Sequence, residues 1–274
     1  MNYPNGMSVN PRPALPASPR IIAIANQKGG VGKTTTAINL GTALAATDKQ
    51  VIIFDLDPQG NASTGLGIPA AERDPNAYQV LLGEASMGAA TRPTLVPNLF
   101  VVPAGVDLSG AEIELVGRER RASFLSQALA RIDAACDYVL IDCPPALGLL
   151  TLNALAASHS VLVPLQCEFF ALEGISHLMK TIERVRRALN PTLEIQGIVL
   201  TMFDKRNKLS DLVASDVRAH FGDKVYETVI PRNVRVSEAP SHGSPVLIYD
   251  FTCAGAQAYL HLAGEVLRRE RQVA

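Results

Sequence analysis

The chain has 274 residues, of which 47% are hydrophobic, and its formal net charge at pH 7 is −1. This length suits one large α/β domain or two small ones, and the near-neutral charge excludes a globally basic protein, so any nucleic-acid-binding surface must be local. The four cysteines form no C-x-x-C pair and show no metal-type spacing, which indicates reduced thiols in a cytosolic protein. No apolar run approaches the roughly 18 residues that a membrane-spanning helix needs.

The amino-terminal twenty residues are unlike the rest of the chain. They contain five prolines and no apolar segment of the kind found in secretory signals. This composition predicts a disordered arm over residues 1–20. From residue 21 onward there is no internal repeat and no Gly- or Ser-rich linker, so residues 21–274 are predicted to form a single domain.

Short runs rich in β-branched residues recur along the remaining chain, each bounded by turn residues. The runs are IIAIA (21–25), VIIFD (51–55), LFVVP (99–103), YVLID (138–142), SVLVPL (160–165), IQGIVLT (195–201) and YETVI (226–230). They are apolar throughout rather than alternating, which is typical of strands in a parallel sheet covered on both faces.

Helical patterns lie between these runs. They are TTTAINLGTALAA (34–46), ERRASFLSQALARI (119–132), HLMKTIERVRRAL (177–189) and LSDLVASDVRAHF (209–221). The alternation of strand and helix predicts an α/β fold with a doubly wound, mostly parallel sheet and helices on both faces. In such sheets, ligands bind at the carboxyl ends of the strands.

The first strand leads directly into NQKGGVGKTT and then into a helical pattern, which is the strand–loop–helix order of a phosphate-binding loop. Its glycines allow backbone N–H groups to approach phosphate oxygens. Lys33 would reach the β- and γ-phosphates of a nucleotide, and the Thr34 hydroxyl would ligate Mg²⁺. The predicted nucleotide-binding residues of the loop are Gly29, Gly30, Val31, Gly32, Lys33, Thr34 and Thr35.

The loop departs from the pattern G-x-x-x-x-G-K-[ST] at its start. The first glycine of that pattern is replaced by Gln27, and a second lysine, Lys28, follows it. A side chain at the start of the loop need not point at the same nucleotide as Lys33. The motif alone leaves three partners open for Lys28, namely an acidic group, solvent, or the phosphates of a second subunit.

Three aspartates come directly after predicted strands, at the sheet edge where the phosphate loop must lie. Asp55 and Asp57 occur in VIIFDLDPQGN, and Asp142 ends YVLID. A carboxylate there can hold Mg²⁺-bound water or orient the attacking water in phosphoryl transfer. The alternative for the first pair is that it only caps the end of a strand. The next residue, Cys143, is interpreted as a lone buried thiol.

Three segments, KGGVGKTT (28–35), DLDPQGN (55–61) and DCPP (142–145), resemble the signatures of the deviant Walker A ATPases, specifically the ParA/Soj chromosome- and plasmid-partition family. The similarity covers nearly everything from residue 21 to the carboxyl terminus. It implies a P-loop NTPase fold, ATP and Mg²⁺ as ligands, and a homodimer that closes around ATP.

The same resemblance implies roles for individual residues. Lys28 would be the signature lysine, which contacts nucleotide phosphates across the dimer and acts in catalysis with Lys33. Asp57 would be the catalytic aspartate, and Asp55 would lie nearer the metal's outer shell. The implied metal-site residues are Thr34, Asp57 and Asp142.

A late segment, YETVIPRNVRVSEAPSHGSPV (226–246), also resembles that family. The resemblance places adenine contacts at Pro231, Arg232 and Asn233, together with Met202. A proline ring offers an apolar face to a base, and an Asn side chain offers a donor and an acceptor to its edge. The alternative is a loop that merely packs.

Positive charge is concentrated in residues 180–235, which hold eleven Lys or Arg and seven Asp or Glu. An excess of this size is often only a solvated face. Arg206 and Arg235 match positions where the ParA/Soj family uses arginines for non-specific DNA, with Lys205, Lys208 and Lys224 as candidate supporters. Such contacts would be made to phosphate and would be independent of DNA sequence.

The resemblance therefore implies a cytoplasmic, nucleoid-associated partition ATPase with slow intrinsic hydrolysis. Its ATP-bound dimer would bind non-specific double-stranded DNA, and a ParB-type partner would stimulate hydrolysis and release.

Three alternatives stay open. A MinD-like ATPase would bind membrane, although the terminal segment AQAYLHLAGEVLRRERQVA looks like a core-packing helix with no aromatic residue besides Tyr259. A relative of the nitrogenase iron protein would use Cys143 at a shared cluster. A scaffold would bind ATP without hydrolysis.

Overall fold

The computed structural model describes residues 18–132, 136–168 and 171–273. Residues 1–17 of the predicted arm therefore lie outside the described residues. At the end of the predicted arm, Arg20 begins the first strand and donates a hydrogen bond of 3.1 Å to the side chain of Gln196. The assignment of residues 21–274 to a single domain stays a prediction.

The described residues form one sheet in which β1 lies between β5 and β6. The strands are β1 (Arg20–Ile24), β2 (Val51–Asp55), β3 (Arg92–Pro93), β4 (Leu99–Val102), β5 (Tyr138–Asp142), β6 (Ser160–Gln166), β7 (Glu194–Phe203) and β8 (Val225–Pro231). Their order is β3-β4-β2-β5-β1-β6-β7-β8. Every neighbouring pair is parallel except β3 with β4. The predicted α/β fold with a mostly parallel sheet is thus confirmed, and β3 is the strand that the apolar runs did not predict.

Helices connect the strands. They are α1 (Lys33–Ala45), α2 (Asn61–Gly65), α3 (Ala77–Leu82), α4 (Met87–Ala90), α5 (Leu108–Val116), α6 (Phe124–Ala130), α7 (Leu149–Ala157), α8 (Ala171–Ala188), α9 (Lys208–Phe221), α10 (Val234–Glu238), α11 (Val246–Tyr249) and α12 (Ala254–Val273). The pattern predicted over 119–132 yields only α6. Its start is fixed by the side-chain oxygen of Asn153, which accepts the N–H groups of Phe124 and Leu125 at 3.0 and 3.2 Å. In the described part of the chain, no helix has the length and apolar character needed to cross a bilayer.

Each face of the sheet carries its own hydrophobic core. Along β1, Ile21 and Ala23 belong to the core that also contains residues of α3 and α5–α9. Ile22 and Ile24 belong to the core formed with α1, α11 and α12. Successive strand residues point to opposite faces, so this division confirms helices on both sides. The central strands are therefore accessible to a ligand mainly at their carboxyl ends.

Strand register brings the predicted carboxylates together at that edge. In the β2–β5 pairing, Asp55 lies opposite Asp142, and in the β1–β5 pairing, Ile24 lies opposite Asp142. The chain leaving β1 runs straight into the glycine-rich loop. The loop and the aspartates that end β2 and β5 consequently share one end of the sheet.

Candidate nucleotide-binding site

The glycine-rich loop between β1 and α1 is open on the side away from the protein. Gly30 and Gly32 have φ angles of 72° and 87°, a left-handed conformation that residues with a Cβ adopt at a cost. No described atom lies within 4 Å of where a Cβ on Gly29 or Gly30 would stand. The loop thus forms a cradle lined by backbone, as the motif predicts for a phosphate group.

Two hydrogen bonds fix the loop to the sheet. The Thr201 hydroxyl on β7 donates to the carbonyl oxygen of Val31 at 2.9 Å. The side-chain amide of Asn26 donates to the carbonyl oxygen of Pro164 on β6 at 2.8 Å. Val31 is buried, so its predicted role in nucleotide binding could involve only its backbone. The cradle is therefore held in place before any ligand arrives.

Helix α1 directs its amino terminus into the cradle. It begins at Lys33 after Gly32, and no described side chain caps it, so its first N–H groups are available to an anion. Lys33 is only 6% exposed, and its ammonium donates to the carbonyl oxygen of Lys28 at 3.1 Å. Burial lowers the pKa of Lys33, whereas the nearby carboxylates of Asp142 and Asp57 favour its charged form. The loop, the lysine and two of the predicted carboxylates thus form one cluster.

Asp142 is the least satisfied polar group in this cluster. It is fully buried, and neither side-chain oxygen has a hydrogen-bond partner of ordinary geometry among the described residues. Burial, followed by the charge of Asp55, raises the pKa of Asp142 well above its usual range, although the neighbouring Thr34 hydroxyl and Lys33 favour ionisation. Two buried, unpartnered carboxylate oxygens beside a threonine hydroxyl suit a hydrated Mg²⁺.

The described residues do not provide a complete set of protein ligands for such an ion. Nowhere among them do three or more His, Cys, Asp or Glu side chains stand close enough to hold a metal together. A Mg²⁺ ion here would depend on Thr34, on phosphate oxygens and on water molecules bound to the carboxylates, which is how phosphoryl-transfer sites usually hold it. The residues present therefore fit Mg²⁺ only together with a nucleotide.

Asp55 forms hydrogen bonds within its own chain. Its Oδ2 accepts hydrogen bonds from the backbone N–H and the hydroxyl of Ser63, at 2.8 and 2.6 Å. The Ser63 hydroxyl in turn accepts the N–H of Ala104 at 2.9 Å. Asp55 therefore anchors α2 to the ends of β2 and β4, and its implied place near the metal's outer shell stays a prediction. Burial raises its pKa to about 6, and the hydrogen bonds from Ser63 oppose that shift.

Asp57 lies in the turn between β2 and α2. It is 7% exposed, and its Oδ1 accepts the N–H of Gln59 at 3.0 Å. Arg73 clasps the far end of α2, because its guanidinium donates to the carbonyl oxygen of Ile68 and to the Thr64 hydroxyl, both at 2.8 Å. Helix α2 is thus held by Asp55 and by Arg73, and it holds the turn that carries Asp57 in place. Sequence reasoning missed Ser63 and Arg73, since neither belongs to a motif.

Lys28 has an acidic partner within its own chain. Its backbone N–H donates to the Asn26 side chain at 3.1 Å, and its ammonium forms an ion pair with Glu168, two residues past the end of β6. Of the three partners that the motif left open, the structure therefore shows the carboxylate. The Lys28 side chain is 42% exposed, so the ammonium remains accessible from solvent.

The predicted base contacts gather where β7 and β8 end. Met202 adopts a φ of 50° near the end of β7, Phe203 lies opposite Pro231, and the N–H of Arg232 donates to the carbonyl oxygen of Phe203 at 3.0 Å. The side-chain oxygen of Asn233 accepts the N–H of Arg235 at 2.9 Å and caps α10. One lone pair of that oxygen is therefore in use, and the side-chain NH₂ and the second lone pair are the groups left for a base.

A cavity of about 280 Å³ opens beside the start of α1. Thr34 and Thr35 line it together with Asn61 of α2 and Ser244, and the lining includes no charged side chain. The predicted base contacts are not among its lining residues. Its chemistry suits an uncharged polar group adjacent to the phosphates rather than a phosphate itself.

The residues predicted to contact DNA lie at the same end of the sheet. Lys205, Arg206 and Lys208 follow β7, and Arg235 follows β8. Lys224 does not join them, because it precedes β8 and lies about 20 Å away along that seven-residue strand. The supporting role of Lys224 stays a prediction, and its position separates it from the other four residues.

Both arginines already have carboxylate partners. Arg206 is 88% exposed and forms two hydrogen bonds of 3.0 Å with Asp204, which hold the pKa of that carboxyl at about 2. Arg235 pairs with Glu238 at 2.9 Å and with Asp250 at 3.5 Å. A DNA phosphate would have to compete with these carboxylates for each guanidinium.

Comparisons with known proteins cover nearly the whole chain. A family model described as an AAA domain matches residues 19–195. The chromosome partitioning protein ParA of Caulobacter vibrioides is 63% identical over 267 residues, 97% of each chain. The sporulation initiation inhibitor protein Soj of Bacillus subtilis is 53% identical over 247 residues, 90% of this chain and 98% of its own. The structure of cobyrinic acid a,c-diamide synthase from Mycobacterium smegmatis with bound ADP and magnesium matches with a TM-score of 0.80 at 38% identity, covering 93% of this chain and 97% of that one.

Proposed function

This chain belongs to the ParA/Soj family of chromosome-partitioning ATPases, and from that premise we propose that it works as a nucleotide-switched, DNA-binding homodimer. It is a partition ATPase that uses ATP and Mg²⁺. The proposal concerns the site residues, the dimer, the DNA surface and the partner that stimulates hydrolysis. The observation that carries its nucleotide site is the buried, unpartnered carboxylate of Asp142 beside Lys33 and the open glycine loop.

In the proposed ATP complex, the loop amides and the start of α1 bind the β- and γ-phosphates, and Lys33 donates to their oxygens. Thr34 and Asp142 hold the hydrated Mg²⁺, which when bound stabilises negative charge on the phosphate oxygens. Asp57 orients the water whose oxygen forms the new bond to the γ-phosphorus as the bond to the β–γ bridging oxygen breaks. Met202, Pro231, Arg232 and Asn233 contact the base.

The proposed dimer depends on Lys28. It lies on the exposed part of the loop together with Gln27, Gly29 and Gly30, where a second copy can approach face to face. From there its ammonium would contact the phosphates bound by the partner subunit. Among the described residues, no arginine side chain contacts the phosphate loop or Lys33, where the γ-phosphate is proposed to bind. We therefore expect slow intrinsic hydrolysis and acceleration by a ParB-type partner.

The proposed DNA surface is the edge that carries Arg206 and Arg235, supported by Lys205 and Lys208. All four are exposed, and contacts from such side chains to phosphate are independent of base sequence. Dimerisation would duplicate the surface and raise its avidity. Nucleoid association would follow from this binding.

The decisive test is binding to non-specific duplex DNA with ATP, ADP or no nucleotide, at two salt concentrations. We expect binding with ATP only, a steep loss of affinity at higher salt, and loss of binding in Arg235→Glu. Lys224→Glu is the matched control, because it makes the same charge change at the other end of β8. DNA binding that is absent in every nucleotide state would refute the proposal.

A second experiment separates a hydrolytic switch from an ATP-binding scaffold. Asp57→Ala should retain ATP and remain dimeric, whereas Lys33→Ala should lose ATP and remain monomeric. Size-exclusion chromatography with light scattering distinguishes the two states. Indistinguishable behaviour of the two variants would favour the scaffold.

The remaining two alternatives receive no support from the positions of their key residues. On α12, Tyr259, Leu262 and Val266 are buried in the core formed with α1, so this helix does not present the free apolar face that a MinD-like membrane helix needs. Cys143 is 1% exposed, and burial raises the pKa of its thiol, so it is not a surface ligand for a shared cluster.

A further inference from the structure

The ion pair between Lys28 and Glu168 joins two neighbouring parts of the site edge. Lys28 follows β1, Glu168 follows β6, and these strands are hydrogen-bonded neighbours. The loop start is tied to β6 a second time, by the Asn26 side chain and the carbonyl oxygen of Pro164. The ammonium of Lys28 is thus held against its own subunit by a carboxylate on an anchored segment.

This position conflicts with the role proposed for Lys28 in the dimer. An ammonium has three N–H donors, and it can direct all of them to a phosphate of the partner subunit only when its contact with Glu168 lengthens or breaks. A carboxylate beside it would also repel the partner's phosphates at short range. Glu168 therefore opposes the contact that the dimer requires.

We propose that Glu168 is a positioning residue that holds Lys28 within its own subunit until a partner bearing ATP displaces it. We call the Lys28–Glu168 ion pair the cis latch. The inference rests on the proposed function, since it presupposes that Lys28 acts across the dimer. Each subunit carries one latch, so two latches open whenever one dimer forms.

The expected size of the effect follows from exposure. The two side chains are 42% and 35% exposed, and exposed ion pairs change an equilibrium by about 1.4-fold to fivefold. Because two latches open per dimer, removing Glu168 should strengthen ATP-dependent dimerisation by about twofold to 25-fold. The nucleotide-free protein should remain monomeric, because no phosphate is then available to Lys28.

The test measures the dimer dissociation constant by sedimentation equilibrium with saturating ATP and Mg²⁺, in an Asp57→Ala background that prevents turnover. Glu168→Gln keeps the size of the side chain and removes its charge. Glu173→Gln, on the exposed first turn of α8, is the matched control for the change in net charge. Glu168→Asp keeps the charge on a shorter side chain and should lie between the parent protein and Glu168→Gln.

The outcomes separate the latch from the function on which it rests. Tighter dimerisation in Glu168→Gln, with Glu173→Gln unchanged, supports the latch. An unchanged or weaker dimer in Glu168→Gln, while the parent protein dimerises with ATP, overturns the latch and leaves the proposed function standing. A parent protein that fails to dimerise with ATP overturns the proposed function itself. Circular dichroism of each variant confirms that the comparison is made between folded proteins.

Discussion

Replacing Ser63 with alanine should disturb the site without touching any residue of the recognised motifs. The Ser63 side chain is fully buried, and its hydroxyl donates to Asp55 at 2.6 Å and accepts the N–H of Ala104 at 2.9 Å. The Ser63→Ala variant loses both bonds and leaves a buried N–H without its partner. The backbone bond from Ser63 to Asp55 remains, so α2 is loosened and not detached.

The expected cost adds the loss of a hydrogen bond to a charged group and the desolvation of an unpaired N–H. Together these lower the free energy of unfolding by about 3 kcal/mol, which a protein with about 5–15 kcal/mol of stability survives. Because α2 fixes the turn that carries Asp57, kcat for ATP should fall by about tenfold to 100-fold. The Michaelis constant for ATP should change little, since the phosphate loop is anchored separately.

Urea unfolding of the nucleotide-free protein and steady-state ATPase kinetics measure the two effects. Ser158→Ala is the matched control, because Ser158 is also buried but its hydroxyl donates to the carbonyl oxygen of Ala154 in the preceding helix α7. Removing that bond should cost about 1 kcal/mol and leave kcat unchanged. Equal stability losses in the two variants, with kcat intact in both, would refute the reasoning that Ser63 positions the catalytic turn.

Three further predictions concern charge. Asp204→Asn should raise the DNA affinity of the ATP form severalfold by freeing Arg206, measured by fluorescence anisotropy, and an unchanged affinity would exclude competition between carboxylate and phosphate. Asp142→Asn should raise the melting temperature without nucleotide, because it removes a buried unpaired carboxylate, and raise the Mg²⁺ concentration needed for half-maximal activity by about tenfold or more. The pKa of Asp55 is raised from 3.8 to about 6, so its buried charge should make the nucleotide-free protein less stable as pH rises through that window. In urea titrations of Asp55→Asn this loss should be smaller, and the remainder comes from Asp142, whose pKa is also raised.

The fold was predictable because its central strands are apolar along their whole length. Strands covered on both faces need no polar side, so β1, β2 and β5 appear as uninterrupted apolar runs in the sequence. The two-residue β3 offers no such run, and Pro93 disfavours a strand. The premature start predicted for α6 has a tertiary cause, since the side chain that caps it comes from α7.

The site was predictable only where the chemistry is local. The phosphate loop and the aspartates that follow β2 and β5 occur in compact motifs, and strand register brings them together. The residues that position the loop and these aspartates do not occur in compact motifs. Ser63 is eight residues from Asp55, Arg73 reaches back to Ile68, and Glu168 lies 140 residues from Lys28. Their partners are set by the folded sheet, so no spacing rule reveals them.

The unpredicted partners share a physical consequence. Three cations that the proposed function directs outward, Lys28, Arg206 and Arg235, are each paired with a carboxylate of the same chain. Each outward contact is then an exchange of one ion pair for another, and its net free energy is smaller than that of a contact made by a free cation. Because each net free energy is small, the monomer and the DNA-free protein differ little in free energy from the dimer bound to DNA. The binding of one nucleotide can then decide between those states, and opening the Lys28–Glu168 pair is the step closest to that nucleotide.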